Sequence, residues 1–212
     1  AWHDRLSPIT EQFRALRAAV VALGRPRRLL VTSALPGEGK SVTALNLAVA
    51  FAEEGDKEVL VVDADLRKPS LHRLAGVEPR GGLSDVLNGT GRLGDFVTAT
   101  GIRHLTLLPA GRPLSAGGHG PGDRGLGELL LACAERYDLV ILDGPPVLVA
   151  AEAAVLASIA EGTLFVVRLG MSPRALVRNA VAILSRARAR VLGAVVVGGD
   201  ALPRAYQRYV ET

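Results

Sequence analysis

LLVTSALPGEGKSVTALN, residues 29–46, runs an apolar strand into a glycine-bearing turn and the turn into a helical pattern. A strand, a turn ending Gly39-Lys40-Ser41 and a helix together describe a phosphate-binding loop. Each residue type has a physical reason. Glycines let backbone N–H groups close around phosphate oxygens, and the helix N-terminus adds positive potential. Lys40 neutralises the outer phosphates, and Ser41 can ligate magnesium. Pro36, Gly37, Glu38, Gly39, Lys40, Ser41 and Val42 are therefore the candidate nucleotide-binding residues. The first motif position is Ala34, where the plain pattern has glycine.

The rest of the chain predicts an α/β fold: a doubly wound, mostly parallel sheet flanked by helices, with P-loop architecture. Ser7-Pro8 caps and opens an N-terminal helix that Gly24 closes. Then follow strand 28–34, helix 40–54 stopped by Gly55, and strand 59–62. Short helical pieces around 70–75 and 83–87 lead to a strand at 104–108. Residues 109–125 are rich in Gly and Pro and read as a surface loop. Helix 126–136, strand 138–142, helix 150–160, strand 163–168, helix 173–188 and strand 191–197 complete the alternation. The expected division is residues 1–27 as an added helix suited to oligomerisation, 28–200 as the nucleotide-binding domain, and 201–212 as a tail.

Composition narrows the class. The 212 residues are 49% hydrophobic and 22% charged, and near-continuous apolar strands suit a sheet covered on both faces. Cys133, the only cysteine, sits in an apolar helical run and reads as a buried, inert thiol. The net charge of +4 favours anionic partners, but no basic run is interleaved with stacking aromatics, so nucleic acid is not expected. The longest weakly polar stretch, Val147 to Ala160, contains Glu152 and falls short of the roughly 20 apolar residues a membrane span needs. The chain opens Ala1-Trp2-His3 without an initiator methionine, which leaves room for a membrane portion elsewhere.

Two acidic elements complete the chemistry. Tyr137 to Pro146, YDLVILDGPP, is an apolar strand that delivers Asp143 at its tip, where P-loop proteins hold magnesium. Asp63 and Asp65 lie two apart at the end of another strand, so they point the same way on an extended chain. One can tune a metal while the other takes a proton from an attacking hydroxyl. Arg67, two residues on, is placed to balance them.

Taken together, these motifs resemble the bacterial tyrosine kinases of capsule and exopolysaccharide assembly. The matching segments are Ala34 to Ser41, the Asp-x-Asp-x-Arg motif of Val61 to Arg67, and the Asp-x-Pro motif of Ile141 to Pro145. Pro69-Ser70-Leu71-His72 and Gly82 to Leu87 extend the likeness. The resemblance implies ATP and Mg2+ as cofactors. It implies that Lys40 binds the β- and γ-phosphates, that Ser41, Asp65 and Asp143 serve the metal, and that Asp63 is the base for a tyrosine hydroxyl. It also implies that Arg67 shares the catalytic motif.

The same resemblance gives Glu11, Arg14 and Arg17 to a Glu-x-x-Arg-x-x-Arg motif used in assembling rings of subunits; at spacing three they share a helix face. It makes Tyr206 and Tyr209 the phosphoacceptors, each subunit acting on a neighbour's tail. The expected partners are copies of the chain and a membrane-anchored activator, separate or fused, which would hold the protein in the cytoplasm at the inner face of the membrane. Two features depart from the pattern. Residues 112–125, RPLSAGGHGPGDRG, replace an Asn-Pro turn, and Val196-Val197-Gly198-Gly199 stands where relatives often have an Asn that seats the base, leaving Arg168 as a candidate. Two other readings stay open. One is a nucleotide-binding scaffold with little kinase activity. The other is a partitioning or division-site ATPase, whose signature lysine is replaced by Leu35.

Overall fold

In the computed structural model, residues 8–112 and 123–198 are described. Ser7 as a cap, much of the Gly/Pro-rich loop, and the tail with Tyr206 and Tyr209 lie outside them. The order begins with α1 (Pro8–Ala22), β1 (Arg28–Ser33), α2 (Lys40–Ala52) and β2 (Val59–Asp63). Next come α3 (Leu71–Ala75), α4 (Leu83–Leu87), α5 (Leu93–Phe96), β3 (Thr98–Ala99) and β4 (Leu105–Leu108). The remainder is α6 (Asp123–Arg136), β5 (Leu139–Asp143), α7 (Glu152–Ile159), β6 (Gly162–Arg168), α8 (Arg174–Arg186) and β7 (Val191–Val197). The seven strands form one sheet in the order β3-β4-β2-β5-β1-β6-β7, parallel except for β3.

The apolar runs of β1, β2 and β5 are buried on both faces because helices cover both sides. Side chains alternate between two cores, as the pleat requires. Leu30, Leu60, Val62, Val140 and Leu142 face the core under α6, α7 and α8, while Leu29, Val31, Val59, Val61 and Ile141 face the core under α1, α2 and α3. Cys133 is buried in the first core. Burial raises its thiol pKa to about 11, so it is inert as the sequence implies.

The helices and strands expected from the pattern are present with ends shifted by a residue or a few. β1 stops at Ser33, α2 at Ala52 ahead of Gly55 (φ 79°), and α6 starts at Asp123. α5 and the two-residue β3 were not expected: both are too short to carry a periodic signal. β7 is partly or wholly exposed along its length. It is the terminal strand and pairs only with β6.

Candidate active site

Adjacent parallel strands bring the chemistry together. In the β2–β5 pair Asp63 stands opposite Asp143, and β1 neighbours β5 on the other side, so the phosphate loop and both acids meet at the carboxyl ends of the strands. That is where ligands bind in open α/β sheets.

The loop itself is open to an anion. Gly37 (φ 83°) and Gly39 (φ 96°) occupy the left-handed region that glycine enters without steric penalty. Thr43 donates its N–H to the Gly39 carbonyl at 2.9 Å as α2 starts. Among the described residues, the amides of Gly37 and of Gly39 to Val42 have no backbone acceptor, as expected for a helix N-terminus that binds an anion.

Lys40 is nearly buried, and its Nζ donates to Asp65 Oδ2 at 2.9 Å. Burial alone would lower its pKa, but the fields of Asp143, Asp65 and Asp63 outweigh that and raise it. Asp65 Oδ1 accepts the Lys68 N–H at 3.0 Å, which fixes the turn after β2.

Asp63 and Asp143 are fully buried. Asp63 Oδ2 accepts the N–H groups of Ser70 and Leu71, each at 2.9 Å, and Oδ1 has no partner. Burial raises the Asp63 pKa to about 6 against the pull of those two N–H groups. Burial likewise lifts Asp143 to about 7; the Lys40 charge opposes the rise and the Asp63 charge adds to it. Neither Asp143 oxygen has a hydrogen bond of good geometry, although the nearby Ser41 hydroxyl favours the charged form. Three carboxylates against one ammonium leave two surplus negative charges in a buried site, which is strongly unfavourable without a counter-ion. The Ser41 hydroxyl and the unpartnered oxygens of Asp143 are hard oxygen donors that fit a magnesium ion at the phosphates.

Above this group opens a cleft of about 510 Å3. Its floor includes Gly37, Gly39, Lys40, Ser41 and Asp65, while Arg67, Lys68, Arg73 and Arg168 supply a cationic wall. Asp63 and Asp143 do not line the cleft but lie beneath its floor.

Several candidates have partners that sequence did not foresee. Arg67 pairs with Glu152 of α7, Nη2 to Oε1 at 3.0 Å, rather than balancing Asp63 and Asp65. Arg168, the candidate for base recognition, donates from Nη1 to the Gly37 carbonyl at 3.1 Å. Glu38, expected to touch nucleotide, is fully buried; its carboxylate accepts the Leu35 N–H at 2.8 Å and the Ser172 hydroxyl. α8 begins at Arg174 without a side-chain cap, and the Ser172 hydroxyl is given to Glu38 instead. Arg14 of α1 pairs with Glu11 and with Glu53 beyond α2, and Arg17 pairs with Glu54 and donates to the Ala50 carbonyl at 2.7 Å.

Comparison with known proteins accounts for the constellation. A family model described as an AAA domain matches residues 30–172. Tyrosine-protein kinase YwqD of Bacillus subtilis (strain 168) is 35% identical over 192 residues, 89% of this chain and 81% of its own length. The chain belongs to the bacterial tyrosine-protein kinase family. Within that family it also resembles the succinoglycan biosynthesis transport protein ExoP of Rhizobium meliloti (strain 1021), at 32% identity over 90% of this chain and 25% of that much longer one. The kinase domain of the Escherichia coli tyrosine kinase ETK superposes with a TM-score of 0.80 at 29% identity, over 92% of this chain and 79% of that one. The septum site-determining protein MinD of Pyrococcus horikoshii, complexed with Mg-ADP, superposes with a TM-score of 0.70 at 25% identity, over 87% of this chain and 76% of that one. The family's fold is thus a P-loop ATPase fold. No helix among the described residues is long and apolar enough to cross a membrane.

Proposed function

We propose that the protein is an ATP- and magnesium-dependent tyrosine autokinase that regulates exopolysaccharide polymerisation and export. The observation that carries this reading is the pairing of Asp63 and Asp143 at one level of adjacent strands, beneath a phosphate loop whose lysine is held by a third acid. Ser41 and Asp143, with Asp65 beside them, would hold the magnesium ion, which would supply charge neutralisation at the phosphates. The remaining steps belong to the chain's own groups.

Nucleotide phosphates draw Lys40 off Asp65, which opens the cleft floor towards Asp63. The loop amides hold the β- and γ-phosphates in line for attack. A tyrosine oxygen bonds to the γ-phosphorus as the bond from that phosphorus to the β,γ-bridging oxygen breaks. The hydroxyl proton passes to Oδ1 of Asp63, and ADP leaves. A carboxylate with a pKa near 6 is suited to that task, because it is mostly ionised at neutral pH yet more basic than an exposed acid.

In this reading residues 28–200 form the kinase unit, residues 1–27 the assembly element, and Tyr206 and Tyr209 the acceptors on a neighbour's tail. The likeness to ExoP, whose name places it in succinoglycan transport, supports work beside a membrane-anchored partner or fused domain. A ring of subunits would bring tails to neighbouring sites.

The test is incubation of the purified chain with MgATP, with a membrane-anchored activator segment supplied, followed by mass-spectrometric mapping of phosphate. Tyr206 and Tyr209 should carry it. Lys40→Met should abolish transfer, and Asp63→Asn should retain nucleotide binding while slowing transfer by about 10²- to 10⁴-fold, the usual range for loss of a general base. Absence of phosphotyrosine would sink the kinase reading; release of inorganic phosphate without it would make the protein an ATPase.

A further inference from the structure

The phosphate loop is stitched from the side to the turn between β6 and α8. Glu38 is 0% exposed, unusual for a carboxylate that touches no cation. One oxygen closes the loop on itself by accepting the Leu35 N–H at 2.8 Å, and the other accepts the Ser172 hydroxyl proton. Ser172 Oγ in turn accepts the backbone N–H of Arg168 at 2.9 Å. The Arg168 guanidinium returns to the loop and donates to the Gly37 carbonyl at 3.1 Å. Leu169 N–H is anchored to the Val197 carbonyl at 2.9 Å, so the turn is tied to the end of β7 as well.

The peptide between Gly37 and Glu38 is planar and trans, so its C=O and N–H point in opposite directions. Holding the Gly37 carbonyl towards Arg168 therefore aims the Glu38 N–H away from that turn. That amide lies in the middle of the anion-binding segment, at the end of the Pro36-Gly37 turn. Without the stitch, a loop carrying two glycines can rotate this peptide and lose the donor.

We infer that Glu38, Ser172 and Arg168 are positioning residues for nucleotide phosphates: their side chains fix the orientation of the phosphate loop from outside, and the Glu38 carboxylate makes no direct contact with nucleotide. Ser172 is the informative handle, because it is only half-buried and does not line the cleft that holds Lys40 and Asp65. The inference rests on nucleotide binding, which the proposed kinase reading shares, and its readout is binding, so it stands or fails separately from tyrosine transfer.

The experiment is calorimetric titration of the full chain with MgADP and with adenosine, for wild type, Ser172→Ala, Ser172→Thr and Glu38→Gln. Ser172→Ala should weaken MgADP about fivefold to twentyfold, leave adenosine affinity unchanged and leave the ligand-free melting temperature within about 2 °C of wild type. Ser172→Thr, which keeps the hydroxyl, should bind MgADP as wild type does. Glu38→Gln keeps an acceptor for Leu35 but loses the one for Ser172, and should fall between them. Wild-type MgADP affinity in Ser172→Ala would overturn the inference. So would equal losses for MgADP and adenosine, or a loss in Ser172→Thr as large as in Ser172→Ala.

Discussion

Asp143 is a buried carboxyl without a hydrogen bond of good geometry, and that makes it a burden on the ligand-free protein. Burial raises Asp143 to about 7 and Asp63 to about 6, both above the range of an unfolded chain near 4. The folded state therefore binds protons that the unfolded chain has released. These groups contribute stability below about pH 4 and lose it as pH rises through about 6 and 7. Asp143→Asn should flatten the fall in melting temperature between pH 5 and 8. At pH 8 it should raise the melting temperature by about 3–6 °C, at about 2–4 °C per kcal/mol for a chain of this size. The same substitution should remove most of the stabilisation given by MgADP. A melting curve as steep in pH as the wild type's would show that the cluster is not the source.

Residues of this kind divide by how far sequence could reach them. The meeting of Lys40, Asp63, Asp65 and Asp143 was legible because their places follow from local spacing on a strand or turn. Glu38, Ser172, Glu152 and Arg168 were not, because each acquires its role from a residue distant in the chain, such as Glu38 from Ser172, 134 positions on. Arg67 shows the same limit: its motif was recognised, but its ion-pair partner lies on α7.

At the level of elements, α1 is bound to α2 through two layers. Val20 is buried, with Phe13, Leu16 and Val21 packed beside it in the core under α2. At the rim, Arg14 and Arg17 reach Glu53 and Glu54. The charged triad proposed for assembly is therefore already engaged within its own chain. Arg14→Glu with Arg17→Glu should lower stability as well as shift particles towards monomer in light scattering. Adding Glu53→Arg and Glu54→Arg separates the two roles, since the swap restores the internal pairs by charge alone. Recovery of the melting temperature with particles still monomeric would locate the arginines at the subunit interface. Recovery of both would leave the triad as an internal clasp. The long elements, with three or more helical turns or a run of Val, Leu and Ile, were readable from periodicity. α5 and β3 are held by neighbours rather than by their own pattern.

Across the whole molecule, the sheet order places β7 at the margin, beside β6 and one strand removed from the phosphate loop's own strand. Even so, its end returns to that loop: a Cβ built on Gly39 would stand 3.4 Å from Val197. The chain beyond Gly198 is therefore moored at the mouth of the cleft, and the mooring sets a leash. Tyr206 is eight residues from Gly198 and Tyr209 eleven. At full extension, about 3.3–3.6 Å per residue, those lengths reach about 26–29 Å and 36–40 Å. Any arrangement of subunits that hands a tyrosine to a neighbour must bring that neighbour's cleft within this radius of the donor's own, and Tyr209 tolerates about 10 Å more separation than Tyr206.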